Sequence, residues 1–302
     1  MSFNIHEIPT QKGRIAIVTG ANDGLGFQTT LALSKTGMKV VMACRNQEKG
    51  DKAREEIIRQ VPEANLELMH LDLSKLSSVH AFAKEYKQKH EQLDLLINNA
   101  GIMIPPYELT EDGFESQLGV NYLGHFLLTG LLLPLLEKAS GSRVVSLSSN
   151  AHKNGKIHFD DLNFKKKYAA FAAYSQSKLA CLIFAKELQR RLDKSGSKVL
   201  SVAAPPGMSD TSLFKHVPGF VTILFGWLIR LLMAQTAEDG AMPTLYAALG
   251  NDIQGGDYIG PGGWQEWKGK PVKAKGTKLS EDKEVAKKLW KESGKLTGCK
   301  FL

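Results

Sequence analysis

RIAIVTGANDGLGFQTTLALSKTG, residues 14–37, sets an apolar, β-branched run, a glycine-rich turn and a helical pattern in immediate succession. Within it, Gly20, Gly24 and Gly26 have the spacing TGxxxGxG. The first glycine permits a tight turn, the second lets backbone approach a pyrophosphate, and the third allows the helix to pack closely on the strand. The helix N-terminus then offers free N–H groups and the positive end of its dipole. The turn reads as a dinucleotide cradle, with Thr19, Asn22, Asp23 and Leu25 as its other contacts. A glycine-rich turn without a ligand would show the same spacing, so the remaining motifs carry the decision.

Outward from this stretch, short apolar runs alternate with amphipathic segments. The strand candidates are RIAIVT, KVVMAC, NLELMHL, LDLLIN, RVVSLS and KVLSVAA, each separated from the next by a helical pattern. That order predicts an α/β fold: a doubly wound parallel sheet of Rossmann type with helices on both faces, joined by right-handed crossovers. The whole chain, 1–302, is expected to be one domain, with a cofactor-binding and catalytic core over 10–205 and an apolar substrate lid over 206–235. Helices, a short strand DYIG and a basic tail fill 236–302. The stretch 220–233 has three readings, a lid, a packed core or oligomer contact, and a membrane-surface contact; it is too short to span a bilayer, and the lid reading predicts an apolar substrate.

Composition narrows the class. The chain has 302 residues, 43% of them hydrophobic, enough for a sizeable core. Cys44, Cys181 and Cys299 are far apart with no CxxC spacing, which argues against a disulfide framework or a zinc site, so no metal is expected. With no apolar leader in the opening residues and no uninterrupted apolar stretch of spanning length, a soluble, cytoplasmic protein without a transmembrane segment is expected. Of the net charge of +8, +6 lies between residue 264 and the C-terminus, where eleven lysines face five acidic residues. A solvated tail helix explains that excess more simply than a nucleic-acid face, which would want aromatics or arginines among the lysines.

The end of the second strand selects the cofactor. A carboxylate there would bind a ribose 2′-hydroxyl, whereas the segment MACRN offers Arg45, suited to a 2′-phosphate, so NADP(H) is favoured over NAD(H). Asp23 in the glycine turn works against that assignment. Asp72 and Leu73, ending the third strand, are suited to the adenine; an N-cap role is the alternative for Asp72. YSQSK places Tyr174 and Lys178 four residues apart, hence on one helix face. A phenol is too weak an acid for proton transfer near neutrality unless a cation beside it stabilises the phenolate. Ser149 ends the fifth strand at the sheet edge where such folds build their sites, positioned to donate to a carbonyl oxygen; Ser148 is its rival. Asn121 lies in a helical stretch, where its amide is suited to holding a water for proton relay.

Together these motifs resemble the short-chain dehydrogenase/reductase superfamily, in its compact single-domain branch. Thr19, Gly20, Gly24 and Gly26 match its cofactor turn, Asp72 its adenine contact, and Asn98, Asn99, Ala100 and Gly101 its strand-four motif. Asn121, Ser149, Tyr174 and Lys178 match its catalytic tetrad, and Pro206, Gly207 and Thr211 its nicotinamide-side loop. TGANDGLG, VVMACRN, LDLLINNAG, GVNYLGHF, AYSQSKLA, TAEDGAMPTLYAAL and AKKLWKESGKLTG are similar to the retinol dehydrogenase-like group, in order and nearly end to end. The resemblance implies NADP-linked interconversion of a carbonyl and an alcohol on a small lipophilic substrate. It also implies that HKNGKIHFDDLNFKKKY, residues 152–168, is a pocket-rim insertion of roughly a dozen residues. His152 and His158 are expected there as solvent or rim residues. Members often pair the long helices that carry Asn121 and Tyr174; here the insertion and the tail are placed to block that face, so homodimer and monomer both stay open.

Three rival functions are weighed against this one. A non-catalytic NAD(P)-sensing protein of the same fold would characteristically lack Tyr174 or Lys178. An extended nucleotide-sugar epimerase would show TGxxGxxG, and a protochlorophyllide-type reductase would need a catalytic cysteine near Tyr174, for which Cys181 is a poor match.

Overall fold

The computed structural model describes residues 3–206, 236–263 and 266–302. Gly207, Thr211 and residues 207–235 of the expected lid lie outside them. One eight-stranded sheet runs in the order β3-β2-β1-β4-β5-β6-β7-β8. The first six strands are Ile15–Thr19, Lys39–Cys44, Leu66–His70, Leu95–Asn98, Arg143–Leu147 and Leu200–Ala204; β7 is Tyr258–Pro261 and β8 Pro271–Ala274. All neighbours pair parallel except β7 and β8, which are antiparallel. The strand order reverses between β1 and β4, where open α/β sheets leave a crevice at the carboxyl ends of the strands.

Helices cover both faces because alternate strand residues point to opposite sides. On one face, Ile17 and Val41 pack with α3 (Leu76–Lys89), α4 (Ser116–Leu136) and α5 (Ala170–Ser195). On the other, Ala16, Val18, Val40 and Met42 pack with α1 (Gly24–Lys35), α2 (Gln47–Gln60) and α6 (Ala237–Leu249). Two helices follow near the C-terminus, α7 (Lys278–Glu281) and α8 (Lys283–Thr297). Among the described residues α4 is long and apolar enough to cross a membrane, but 78% of its apolar window is buried inside the protein, so the core accounts for its composition.

Two elements differ from expectation. β8 reads in sequence as part of the basic tail; its residues are largely exposed, and its pairing with β7, Ile259 opposite Lys273, makes it a strand. An edge strand opened by proline and carrying a lysine has little apolar signal to detect. The tail helix α8 is not solvated all round: Ala286, Leu289, Trp290, Ser293 and Thr297 are buried. Trp290 stacks on Phe184 of α5 at 5.8 Å and meets Phe126 of α4 edge-on at 5.1 Å. The lysines occupy the other face, so charge count alone concealed an amphipathic stripe.

Candidate active site

The cofactor cleft is built from the carboxyl ends of β1 to β4. It has a volume of about 340 Å³ and is lined by Gly20, Asn22, Asp23, Gly24, Leu25, Gly26, Arg45, Asp72, Leu73, Asn99, Ala100 and Gly101. Asn46, which the sequence offers beside Arg45, lines it too, and sequence reading missed Ala43, Lys49, Leu71, Ile102 and Val120, which line it as well. Lys49 was legible in principle: Asn46 caps α2 by accepting from the Lys49 amide at 2.8 Å, which puts Lys49 in the first turn of that helix.

The turn has no room for side chains. Gly20 has φ +67°, and a Cβ there would stand 3.2 Å from Ala100. A Cβ on Gly26 would fall 2.1 Å from the Gly20 carbonyl oxygen. Asp23 sits at the N-cap position of α1, yet its carboxylate makes no capping hydrogen bond, so the first-turn amides are not masked by their own cap residue. Bare amides at a helix start, a backbone kept free of Cβ atoms and two cations at the far side suit a dinucleotide diphosphate. Beneath the turn, burial pushes the Cys44 thiol up to about 11, so it stays neutral where it meets the Ala21 and Asn22 backbone.

Thr19 lies one layer behind this surface and is fully buried. Its hydroxyl oxygen accepts from the amides of Asn99 and Ala100, both at 2.9 Å, while Asn99 Nδ2 donates to the Thr19 carbonyl at 2.7 Å. The glycine turn and the strand-four motif are thereby locked together. His125, on α4, joins the lock: its Nε2 is 2.9 Å from Thr19 Oγ1 and its Nδ1 is 3.0 Å from the Asn121 carbonyl oxygen. A carbonyl only accepts, so Nδ1 carries the proton and Nε2 accepts from the threonine. Burial pushes the His125 pKa down to about 4, with the Lys178 charge acting in the same sense. The ring is neutral at physiological pH.

Asn121 lies in a π turn, Gly119–Leu123, inside α4. Its side chain is committed: Oδ1 accepts from the Ile102 amide at 2.8 Å, and Nδ2 donates to the Ile102 carbonyl at 3.0 Å and to Ser177 Oγ at 2.9 Å. A water for a proton relay would use the second lone pair of Oδ1, because the backbone carbonyl already accepts from His125 and from Cys181 Sγ at 3.2 Å. Cys181 is buried and desolvation raises its pKa, so it is a neutral hydrogen-bonded thiol, which removes it as a rival catalytic cysteine.

Tyr174 and Lys178 stand one turn apart on α5, with the Lys178 ammonium 5.9 Å from the tyrosine ring centre. Lys178 Nζ donates to the Leu147 carbonyl at 3.2 Å. A Cβ on Gly101 would lie 3.1 Å from Asn121 Oδ1 and 3.4 Å from Lys178 Nζ, so the end of the cofactor cleft meets the lysine directly. The two serines separate cleanly. Ser148 is buried and donates to the Lys178 carbonyl at 2.8 Å, pinning β5 to α5. Ser149 is half-buried, and among the described residues its hydroxyl accepts from the Ala151 amide at 3.2 Å and donates to none, leaving its proton for a ligand. Asp72 Oδ1 accepts from the amide and hydroxyl of Ser74, so its local turn role coexists with a place on the cleft. Pro206 lies two residues beyond the end of β6, after Pro205.

His152 corrects an expectation. It is only 1% exposed, not a solvent or rim residue, with Nδ1 2.7 Å from the Ser149 carbonyl and its ring edge-on to Tyr258 at 5.4 Å. A short helix from Asn150 to Asn154, opened by Ser149, folds it inward. His158 is exposed, as expected, against Phe164.

Comparison with known proteins agrees with this geometry. The sequence profile described as short chain dehydrogenase matches residues 14–219. Retinol dehydrogenase 13 of Homo sapiens is 43% identical over 294 residues, covering 96% of this chain and 86% of that protein. Polyprenol dehydrogenase of Mus musculus is 40% identical over 305 residues, covering 97% and 86%. An uncharacterised protein from Mycobacterium paratuberculosis, of known crystal structure, superposes with a TM-score of 0.83 at 40% identity over 100% of both chains. An active-site complex of Pseudomonas aeruginosa RhlG with NADP has a TM-score of 0.65 at 21% identity, covering 82% of this chain and 94% of that one, a likeness of fold alone.

Proposed function

The chain belongs to the short-chain dehydrogenase family and is an NAD(P)-dependent oxidoreductase acting on CH–OH groups, and from that premise we propose that it interconverts a carbonyl and an alcohol on a small lipophilic molecule of retinoid or polyprenoid kind, with NADP(H) preferred. The carrying observation is the convergence of Lys178 and Asn121 on Gly101, where the dinucleotide cleft ends.

When bound, the cofactor supplies the hydride that reaches the carbonyl carbon. Ser149, with its hydroxyl proton free to donate, hydrogen-bonds the carbonyl oxygen as charge develops there. Tyr174 donates the proton to that oxygen. Lys178, fixed by the Leu147 carbonyl, holds a positive charge beside the phenol from which the proton leaves. Holding these groups on rigid elements, the ends of β5 and α5, provides orientation without covalent catalysis.

Preference for NADP(H) is supported by two cations on the cleft, Arg45 at the end of β2 and Lys49 in the first turn of α2; of the two acids there, Asp72 accepts from the amide and hydroxyl of Ser74, and Asp23 works against the preference. The names of the relatives support a lipophilic substrate. Three free thiols are consistent with a reducing, cytoplasmic setting. The test is Tyr174→Phe: NADPH oxidation with an aldehyde should disappear while NADPH binding, read by fluorescence, persists. Undiminished turnover in that variant would sink the mechanism.

A further inference from the structure

Directly beyond the strand-four motif, Ile102, Met103 and Ile104 form three consecutive half-buried apolar side chains. None of the three belongs to, or packs against, the apolar clusters of the described core. Gly101 and Ile102 also line the cofactor cleft, so this apolar strip begins where the dinucleotide site ends. Its backbone is strained: Ile104, β-branched, is held at φ +55°, a region that disfavours such residues. Something must hold it there.

Gln117, fully buried on α4, does so. Its Oε1 accepts from the Ile104 amide at 2.9 Å, and its Nε2 donates to Tyr168 Oη at 3.1 Å and to the Ala170 carbonyl at 3.0 Å. Tyr168 Oη in turn donates to the Pro105 carbonyl at 2.9 Å. Glu115 fixes the base of the clamp by accepting from the amides of Gln117 at 3.0 Å and Leu118 at 2.8 Å. One side-chain amide thus ties together the apolar strip, the 152–168 insertion and the first turn of α5, one turn before Tyr174.

We propose that Gln117 is the positioning residue that shapes the strip 102–104 into the substrate wall, and through it sets the preference for long apolar substrates. This rests on the carbonyl–alcohol reading above. It differs from simple satisfaction of a buried amide because the strip it holds has no other apolar partner in the described core.

The test compares wild type with Gln117→Leu and with Tyr168→Phe, the milder change should the first fail to fold. Two readouts are used: equilibrium binding of n-butanol and n-decanol to the NADP⁺-loaded protein by fluorescence, and NADPH-dependent reduction of butanal and decanal. The expected result is a loss of about tenfold in decanol affinity and in decanal kcat/KM, carried by KM, with butanol, butanal and NADPH affinity within about twofold. Unchanged decanol binding, or equal losses on the short and long ligands, overturns the proposal. Decanol binding that weakens as expected while wild type reduces neither aldehyde supports the wall and counts instead against the carbonyl–alcohol reading.

Discussion

His125 offers a perturbation that needs only acid. Its pKa is lowered from 6.5 to about 4 in the folded protein by burial between Thr19 and Asn121. A base with a depressed folded pKa stabilises the fold above its unfolded value, and that contribution is lost as pH falls, because the unfolded chain takes the proton first. Integrating the two titrations gives a loss of about 2 kcal/mol between pH 7 and pH 5, rising to about 3 kcal/mol below pH 4. Other groups titrate in the same range, His90 and His152 among them, both with pKa values lowered mainly by burial. The comparison is therefore with His125→Gln, in which those groups are unchanged. Urea unfolding at half-unit steps from pH 7 to pH 5 should show wild type losing about 2 kcal/mol more than the variant. The variant starts less stable and falls less steeply. Parallel curves for the two proteins would refute the claim that the ring is buried neutral with its Nδ1 proton on the Asn121 carbonyl.

The paired serines give an opposed prediction: Ser149→Ala should lower kcat about a hundredfold with little change in stability, by loss of a donor to developing charge. Ser148→Ala should instead cost about 1 kcal/mol of stability through its lost bond to the Lys178 carbonyl and leave kcat within a few-fold; the reverse pattern would exchange their roles. Arg45→Asp and Lys49→Ala should each lower the NADPH/NADH ratio of kcat/KM, by about tenfold or more for Arg45 and less for Lys49. A ratio unmoved in both would remove them as readers of the 2′-phosphate. Trp290→Ala should cost about 3 kcal/mol in urea unfolding, because the indole is packed between Phe184, Phe126 and Phe301; a loss under about 0.5 kcal/mol would mean that α8 is not docked in solution.

Much of this was legible because it is local. The left-handed backbone at Gly20 and Gly24 is a property of those residues in that spacing, and Tyr174 and Lys178 share a face because a helix turns every 3.6 residues. Alternation in β1 places Ile17 on one face of the sheet and Ala16 and Val18 on the other, as strand period alone dictates. Helix α8 carries its apolar residues at helical spacing too, yet eleven lysines in the tail outweighed them in the reading.

What resisted reading depends on partners remote in sequence. His125 and Gln117 look like polar residues interrupting an apolar helix until α4 brings them against Thr19, Ile104 and Tyr168. Ser148 and Ser149 are equivalent as neighbours in sequence, and only the packing of α5 on β5 engages one hydroxyl and frees the other. β8 exists as a strand because β7 lies beside it. The sequence by itself determined the six parallel strands β1 to β6, the glycine turn and the catalytic pair, since backbone dihedrals and helical or strand periods are set within a few residues. The tertiary structure decided which polar groups are spent on the fold and which are left for chemistry, since a hydrogen bond is a matter of where its partner lies in space.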